Sequence, residues 1–146
     1  MTSLSSSIEI AATPREVWDV VMDPERLADW VTIHRQLEAH TATSMEQVLC
    51  LRGVNFHVTW RLDDSDRPHR ALWKGKGPAR SRAETEYRLE AVDGGTCFHY
   101  RNEFTAPLGP LGAVASRTFV GGLSEREANA SLRKLKAVCE HRAAQT

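Results

Sequence analysis

The sequence predicts an α+β domain in which a seven-stranded, curved antiparallel sheet, two short helices and a long C-terminal helix enclose a cavity. Three observations predict it. A short strand runs directly into paired helix-start signals. Strict two-residue alternation then fills the middle of the chain with no helix in between, and one amphipathic stripe closes the chain. At 146 residues the chain makes one domain, residues 1–146, large enough to bury roughly 68–70% of its unfolded surface.

Ser5 to Ala11 reads as the first strand. Thr13-Pro14-Arg15-Glu16 then combines a capping hydroxyl, a proline whose fixed φ suits the first helical position, and a glutamate that completes a capping box. Val17, Trp18, Val20, Val21 and Met22 give this helix its apolar face. Asp23-Pro24 repeats the start signal, and Leu27 and Trp30 form the buried side of a second short helix. Starts this close together make a bent pair of helices, not one long one.

From Val31 to Phe104 the period is two. In Arg82–Ala91 every even position is charged and every odd one is apolar or threonine, which predicts one wet and one dry face. Val54, Phe56, Val58, Trp60 and Leu62 alternate with Asn55, His57, Thr59 and Arg61 in the same way. Weaker runs at Ile33–His40, Glu46–Leu51, Leu72–Lys76 and Thr96–Phe104 bring the strands in this region to six. Turns are expected at Arg52-Gly53, Asp63–Pro68, Gly77-Pro78 and Asp93-Gly94-Gly95, so the strands form a meander. Pro107, Gly109, Pro110 and Gly112 mark a loop. Ala113–Val120 reads as helical up to Gly121-Gly122, where two interior glycines would cost roughly 2 kcal/mol and so break or kink the helix. Ser124-Glu125-Arg126-Glu127 opens the closing helix, whose stripe is Ala128, Leu132, Leu135, Val138 and Cys139.

Composition narrows the function classes. Apolar residues make up 41% and charged residues 26%, which excludes a disordered tail or a collagen-like repeat. Nineteen basic side chains balance nineteen acidic ones, leaving no net field to draw nucleic acid or an anionic membrane. Cys50, Cys97 and Cys139 form no CxxC, and no Cys/His spacing along the chain suits zinc, so the expectation is reduced thiols in a cytoplasmic protein without metal or organic cofactor. Met1–Ser7 has no signal-peptide character, and no apolar run reaches membrane-spanning length.

A curved sheet of seven strands has a dry concave side to cover, and one helix about 10 Å wide does not fill it. An apolar void of about 300 Å³ left empty would cost about 7 kcal/mol, comparable to a typical total stability of about 5–15 kcal/mol. A hollow of that size implies an occupant.

The strand followed by "ATPREVWDVVMDPERLADW" (Ala12–Trp30), the Gly94-Gly95-Thr96 turn and the "PLGPLG" run before the closing helix resemble the START-like (SRPBCC) superfamily, and within it the polyketide cyclase/dehydrase-like group. The resemblance spans essentially the whole chain. It implies the helix-grip fold and a hydrophobic-ligand cavity between sheet and C-terminal helix. The family includes lipid carriers, hormone receptors, polyketide aromatase/cyclases and chaperone activators, so the motifs identify a fold and no one reaction. A glycine-rich loop of the plant branch is not evident; acidic Asp63–Pro68 occupies the comparable connection.

The candidate ligand-binding residues are Phe56, Val58, Trp60, Trp73, Tyr87, Leu89, Phe98, Tyr100 and Phe119. Taken singly each reads first as aromatic core filling the trough, and taken as a set they read as walls of a pocket. Hydrophobicity favours Phe98, Tyr100 and Phe104 inward, leaving Cys97, His99, Arg101 and Glu103 in water. The opposite register would bring His99 and Arg101 into the pocket, where acid/base or oxyanion roles arise. His57 and Arg61 are expected outside. Glu86, on the wet face, is expected to lose less than about 0.5 kcal/mol on truncation. Lys74, Lys76, Arg80 and Arg82 read as a solvated strand pair, and Asp63, Asp64 and Asp66 as a polar turn and not a calcium loop. Gly121-Gly122 is placed as a hinge that lets Ala113–Val120 move as a lid over the pocket mouth, or as a close-packing pair.

Three functions stay open: sequestration of a small hydrophobic molecule, a lipid or polyketide-like compound; a cyclase/aromatase acting on a poly-β-ketone; and a protein-interaction module with a vestigial cavity. No catalytic residue is assigned, and neither nucleic acid nor an integral membrane segment is expected.

Overall fold

The computed structural model describes residues 2–51, 53–105 and 125–145. Its elements run β1 (Thr2–Ile10), α1 (Pro14–Val21), a 3-10 turn (Pro24–Arg26), α2 (Leu27–Trp30), β2 (His34–His40), β3 (Ser44–Leu51), β4 (Val54–Asp66), β5 (Arg70–Lys76), a second 3-10 turn (Pro78–Arg80), β6 (Arg82–Val92), β7 (Gly95–Thr105) and α3 (Glu125–Ala144). The seven strands form one antiparallel sheet in the order β1-β7-β6-β5-β4-β3-β2. This is the expected meander, with β1 closing onto the last strand. Phe119, the Ala113–Val120 segment, the Gly121-Gly122 hinge and the Ser124 cap lie outside the described residues.

The local signals act as read. Thr13 Oγ1 accepts from Glu16 N–H at 3.2 Å while the Glu16 carboxylate accepts from Thr13 N–H at 2.9 Å, a closed capping box. Asp23 accepts from Glu25 N–H at 3.0 Å and starts the second, shorter pair of turns. β4 is longer than expected: Asp63, Asp64 and Asp66 belong to the strand, and the turn shrinks to Arg67–His69. Cross-strand cations hold the acidic run extended. Across from β5, Asp63 pairs with Lys74 (3.4 Å) and Asp64 with Arg70 (2.8 Å), and Asp63 also pairs with Arg61 of its own strand (3.6 Å). A bulge between Leu62 and Asp64 absorbs the one-residue offset.

The outer face corrects the expectation for Glu86. Its carboxylate accepts from Arg70 at 2.7 Å and from Arg101 at 3.4 Å, and its side chain is only 19% exposed. Burial opposes its charge, but the hydrogen bonds and charges of the two arginines outweigh burial and hold the carboxyl below its usual range. Glu86→Ala should therefore cost about 1 kcal/mol, readable as a lowered denaturant midpoint. Because the folded-state value is the lower one, this contribution is present above the ordinary glutamate range and is lost as acid titrates the folded carboxyl.

The long helix α3 seals the structure. Leu132, Leu135 and Cys139 are buried against the sheet and α1–α2. Polar contacts fix its height. Ser6 bonds Asn129, Glu140 accepts from Ala11 N–H at 2.9 Å, and Thr32 bonds both Glu127 (2.7 Å) and Ser131.

Candidate functional site

A cavity of about 160 Å³ lies between the inner face of the sheet and helices α2 and α3. Its walls follow from the alternation. β3 contributes Met45, Gln47, Leu49 and Leu51; β4 contributes Phe56, Val58 and Trp60; β5 contributes Trp73. β6 adds Ala83, Thr85 and Tyr87, and β7 adds Tyr100, Asn102 and Phe104. Leu27 and Trp30 of α2, with Ala128, Ser131 and Leu132 of α3, close the opposite side.

Six of the nine candidates thus meet at one hollow: Phe56, Val58, Trp60, Trp73, Tyr87 and Tyr100. Leu89 and Phe98 do not reach it. They lie farther along β6 and β7, at the end that α1 touches, and are 2% and 0% exposed in packed core. The correction has a plain cause: α1 packs against β6 and β7 at one end of the trough, so the hollow begins only beyond it, under α2 and α3. The expectation that the C-terminal helix alone covers the sheet left that out. His99 and Arg101 face outward, the register that hydrophobicity favours, and His57 pairs with Glu38 on the outside at 3.0 Å.

The walls are aromatic and ordered by ring contacts. Tyr87 meets Trp30 edge-on at 6.0 Å, Phe98 at 5.5 Å and Tyr100 in a stacked arrangement at 6.2 Å. Burial, then the neighbouring Tyr100, pushes the Tyr87 hydroxyl far up. Burial does the same to Tyr100, partly offset by a hydrogen bond with Thr85. Both hydroxyls stay protonated at neutral pH, so they act as hydrogen-bond donors and not as bases. Among the described wall residues, the one charged side chain is Arg82; none is a carboxylate, histidine or lysine.

Gln47, Thr85 and Asn102 are polar wall residues absent from the aromatic candidates. Thr85 Oγ1 donates to Asn102 Oδ1 at 3.1 Å. Gln47, 5% exposed, accepts from Trp60 Nε1–H at 3.0 Å and has its amide nitrogen 2.8 Å from His34 Nδ1. The amide oxygen is committed to the indole, so the amide NH₂ donates and His34 Nδ1 accepts. The sequence carries a signal for them: each is a polar residue on the apolar phase of a strand. Trp30 adds one more feature. Its ring is 2% exposed on the cavity wall, and its indole N–H has no hydrogen-bond partner among the described residues. A buried donor left unmatched costs about 1–3 kcal/mol.

His34 gives the wall a pH dependence. Burial lowers its imidazole below the ordinary histidine value of 6.5. Below that value the unfolded chain binds the proton and the fold resists it, so stability falls with acid. Above it, this contribution is flat. The melting temperature should drop between about pH 7 and about pH 5, and His34→Gln should flatten part of that slope.

A family model described as polyketide cyclase/dehydrase and lipid transport matches residues 1–140. An uncharacterized protein of Mycobacterium tuberculosis strain H37Rv is 26% identical over 133 residues, covering 86% of this chain and 93% of that protein. A protein of the same strain named as a toxin is 21% identical, covering 86% and 92%. Among solved structures, the Zhui aromatase/cyclase from Streptomyces sp. R1128 superposes with a TM-score of 0.80 at 18% identity, over 97% of this chain and 94% of that one. A Thermus thermophilus protein gives 0.74 at 17% identity, over 97% and 99%. At these identities the structural likeness is one of fold.

Proposed function

The chain belongs to the polyketide cyclase/dehydrase and lipid transport family, and from that premise we propose that it sequesters one small hydrophobic molecule between sheet and C-terminal helix. The observation that carries this reading is the aromatic-walled hollow. Its lining is mostly apolar, so water held there finds few hydrogen-bond partners and an apolar guest displaces it readily. An engineered apolar cavity of about 150 Å³ takes up benzene. The occupant is therefore a planar ring system or a short acyl segment stacked among Trp60, Trp73, Tyr87 and Tyr100. The unmatched Trp30 N–H and the donors of Tyr87 and Tyr100 favour a ligand that carries an oxygen acceptor.

Thermal shift against fused-ring phenols, aromatic ketones and fatty acids of graded length tests it. At a hundredfold excess over its dissociation constant a ligand adds about 2.7 kcal/mol, a rise of several degrees. Silence across the panel at saturating concentrations defeats sequestration and leaves the protein-interaction module. Cyclase or aromatase activity is the second reading, favoured by the two protonated tyrosines, whose hydroxyls can polarise a carbonyl. New product from a poly-β-ketone substrate, abolished in Tyr87→Phe/Tyr100→Phe, would establish it over simple holding.

A further inference from the structure

On the opposite, outer face of the sheet, three side chains of different chemistry converge. Cys97 on β7 is the direct cross-strand partner of Glu90 on β6, and His99 follows Cys97 by two residues and so shares its face. The thiol, a carboxylate oxygen and a ring nitrogen all lie within 4.8 Å of one another, and His99 Nε2 stands 3.4 Å from Glu90 Oε1. Bond lengths of about 2.0–2.3 Å to a tetrahedral zinc ion put neighbouring ligand atoms about 3.3–3.6 Å apart. The histidine–glutamate pair already has that separation, and the Cys97 sulfur lies within 4.8 Å of both. On the other side of Cys97, Glu9 of β1 stands directly opposite it. Cys97 and His99 are half-buried and Glu90 is exposed, so an ion can reach the cluster from solvent.

We propose that Glu90, Cys97 and His99 form a zinc-class metal site on the outer face of the β6–β7 hairpin. The set is one thiolate, one imidazole and one carboxylate, which suits a borderline-soft divalent ion such as Zn²⁺ and is a poor set for Mg²⁺ or Ca²⁺. Binding deprotonates the Cys97 thiol, and its proton passes to solvent. Water takes the fourth position. The site is separate from the inner cavity, so its presence does not depend on any occupant there.

Co²⁺ is the probe, added to the reduced, chelator-stripped full-length protein. The expected result is one equivalent bound, with a thiolate-to-cobalt charge-transfer absorption that Zn²⁺ displaces. Cys97→Ser abolishes the band, Cys50→Ser retains it, and His99→Ala weakens binding at least about tenfold. In the unmutated protein, Zn²⁺ slows alkylation of Cys97 but not of Cys50, a readout that needs no variant to fold. No thiolate band, a band that survives Cys97→Ser, or a band seen only with metal in large excess over protein each overturns the proposal.

Discussion

Trp60→Ala should lower the unfolding free energy by about 3–5 kcal/mol, the largest loss expected from any single truncation on the cavity wall. The indole is 8% exposed and spans the sheet from β4 over β5. It lies so close to Gly75, its cross-strand partner, that a Cβ there would come within 2.7 Å of two ring carbons. Truncation empties that space and leaves the Gln47 amide oxygen without its donor. Urea unfolding, with the slope checked for constancy, measures the loss. Gly75→Ala alone should also destabilise, because the ring must move. In the double variant the penalty of Gly75→Ala should largely vanish, since the clash is gone. An additive double variant would show that the ring and the glycine do not meet.

Gly95→Ala should cost more than about 3 kcal/mol for a different reason. A Cβ at Gly95 would sit 2.0 Å from the Ile10 carbonyl oxygen and 3.1 Å from the Ala11 Cα. The obstacle is backbone, so no rotamer change relieves it. The end of β1 would have to lift from the start of β7, where Ile10 pairs with Thr96 and the buried Thr96 hydroxyl donates to the Ala12 carbonyl at 2.7 Å. Amide exchange should therefore accelerate first in β1. Uniform loss of protection across the sheet would refute that local account.

Strand identity and facing were legible because a period of two, once seen in Arg82–Ala91, fixes every side chain along a strand. Strand ends were less so. Ser3 and Ser5–Ser7 have little intrinsic preference for extended structure, yet β1 begins at Thr2 because β7 pairs with it along its whole length. The Asp63–Asp66 run looks like a turn in isolation and becomes a strand only beside Arg70 and Lys74. In the site, the aromatic walls could be read from phase alone. Leu89 and Phe98 could not be told from them, because how far α1 and α2 fold back over the sheet is set by packing and not by any local pattern. Gln47 and Asn102 were readable from the same phase as their neighbours. The Glu90–Cys97–His99 cluster has no linear signature, since cross-strand register and not sequence spacing brings Glu90 to Cys97.

Three of the chain's four tryptophans, Trp30, Trp60 and Trp73, face the hollow, while Trp18, on α1, is buried in the packed core. The protein thus carries a built-in optical gauge of its own interior. An aromatic or carbonyl-bearing guest that stacks there should alter indole emission by quenching or energy transfer, so its occupancy can be followed by fluorescence without a dye or a label.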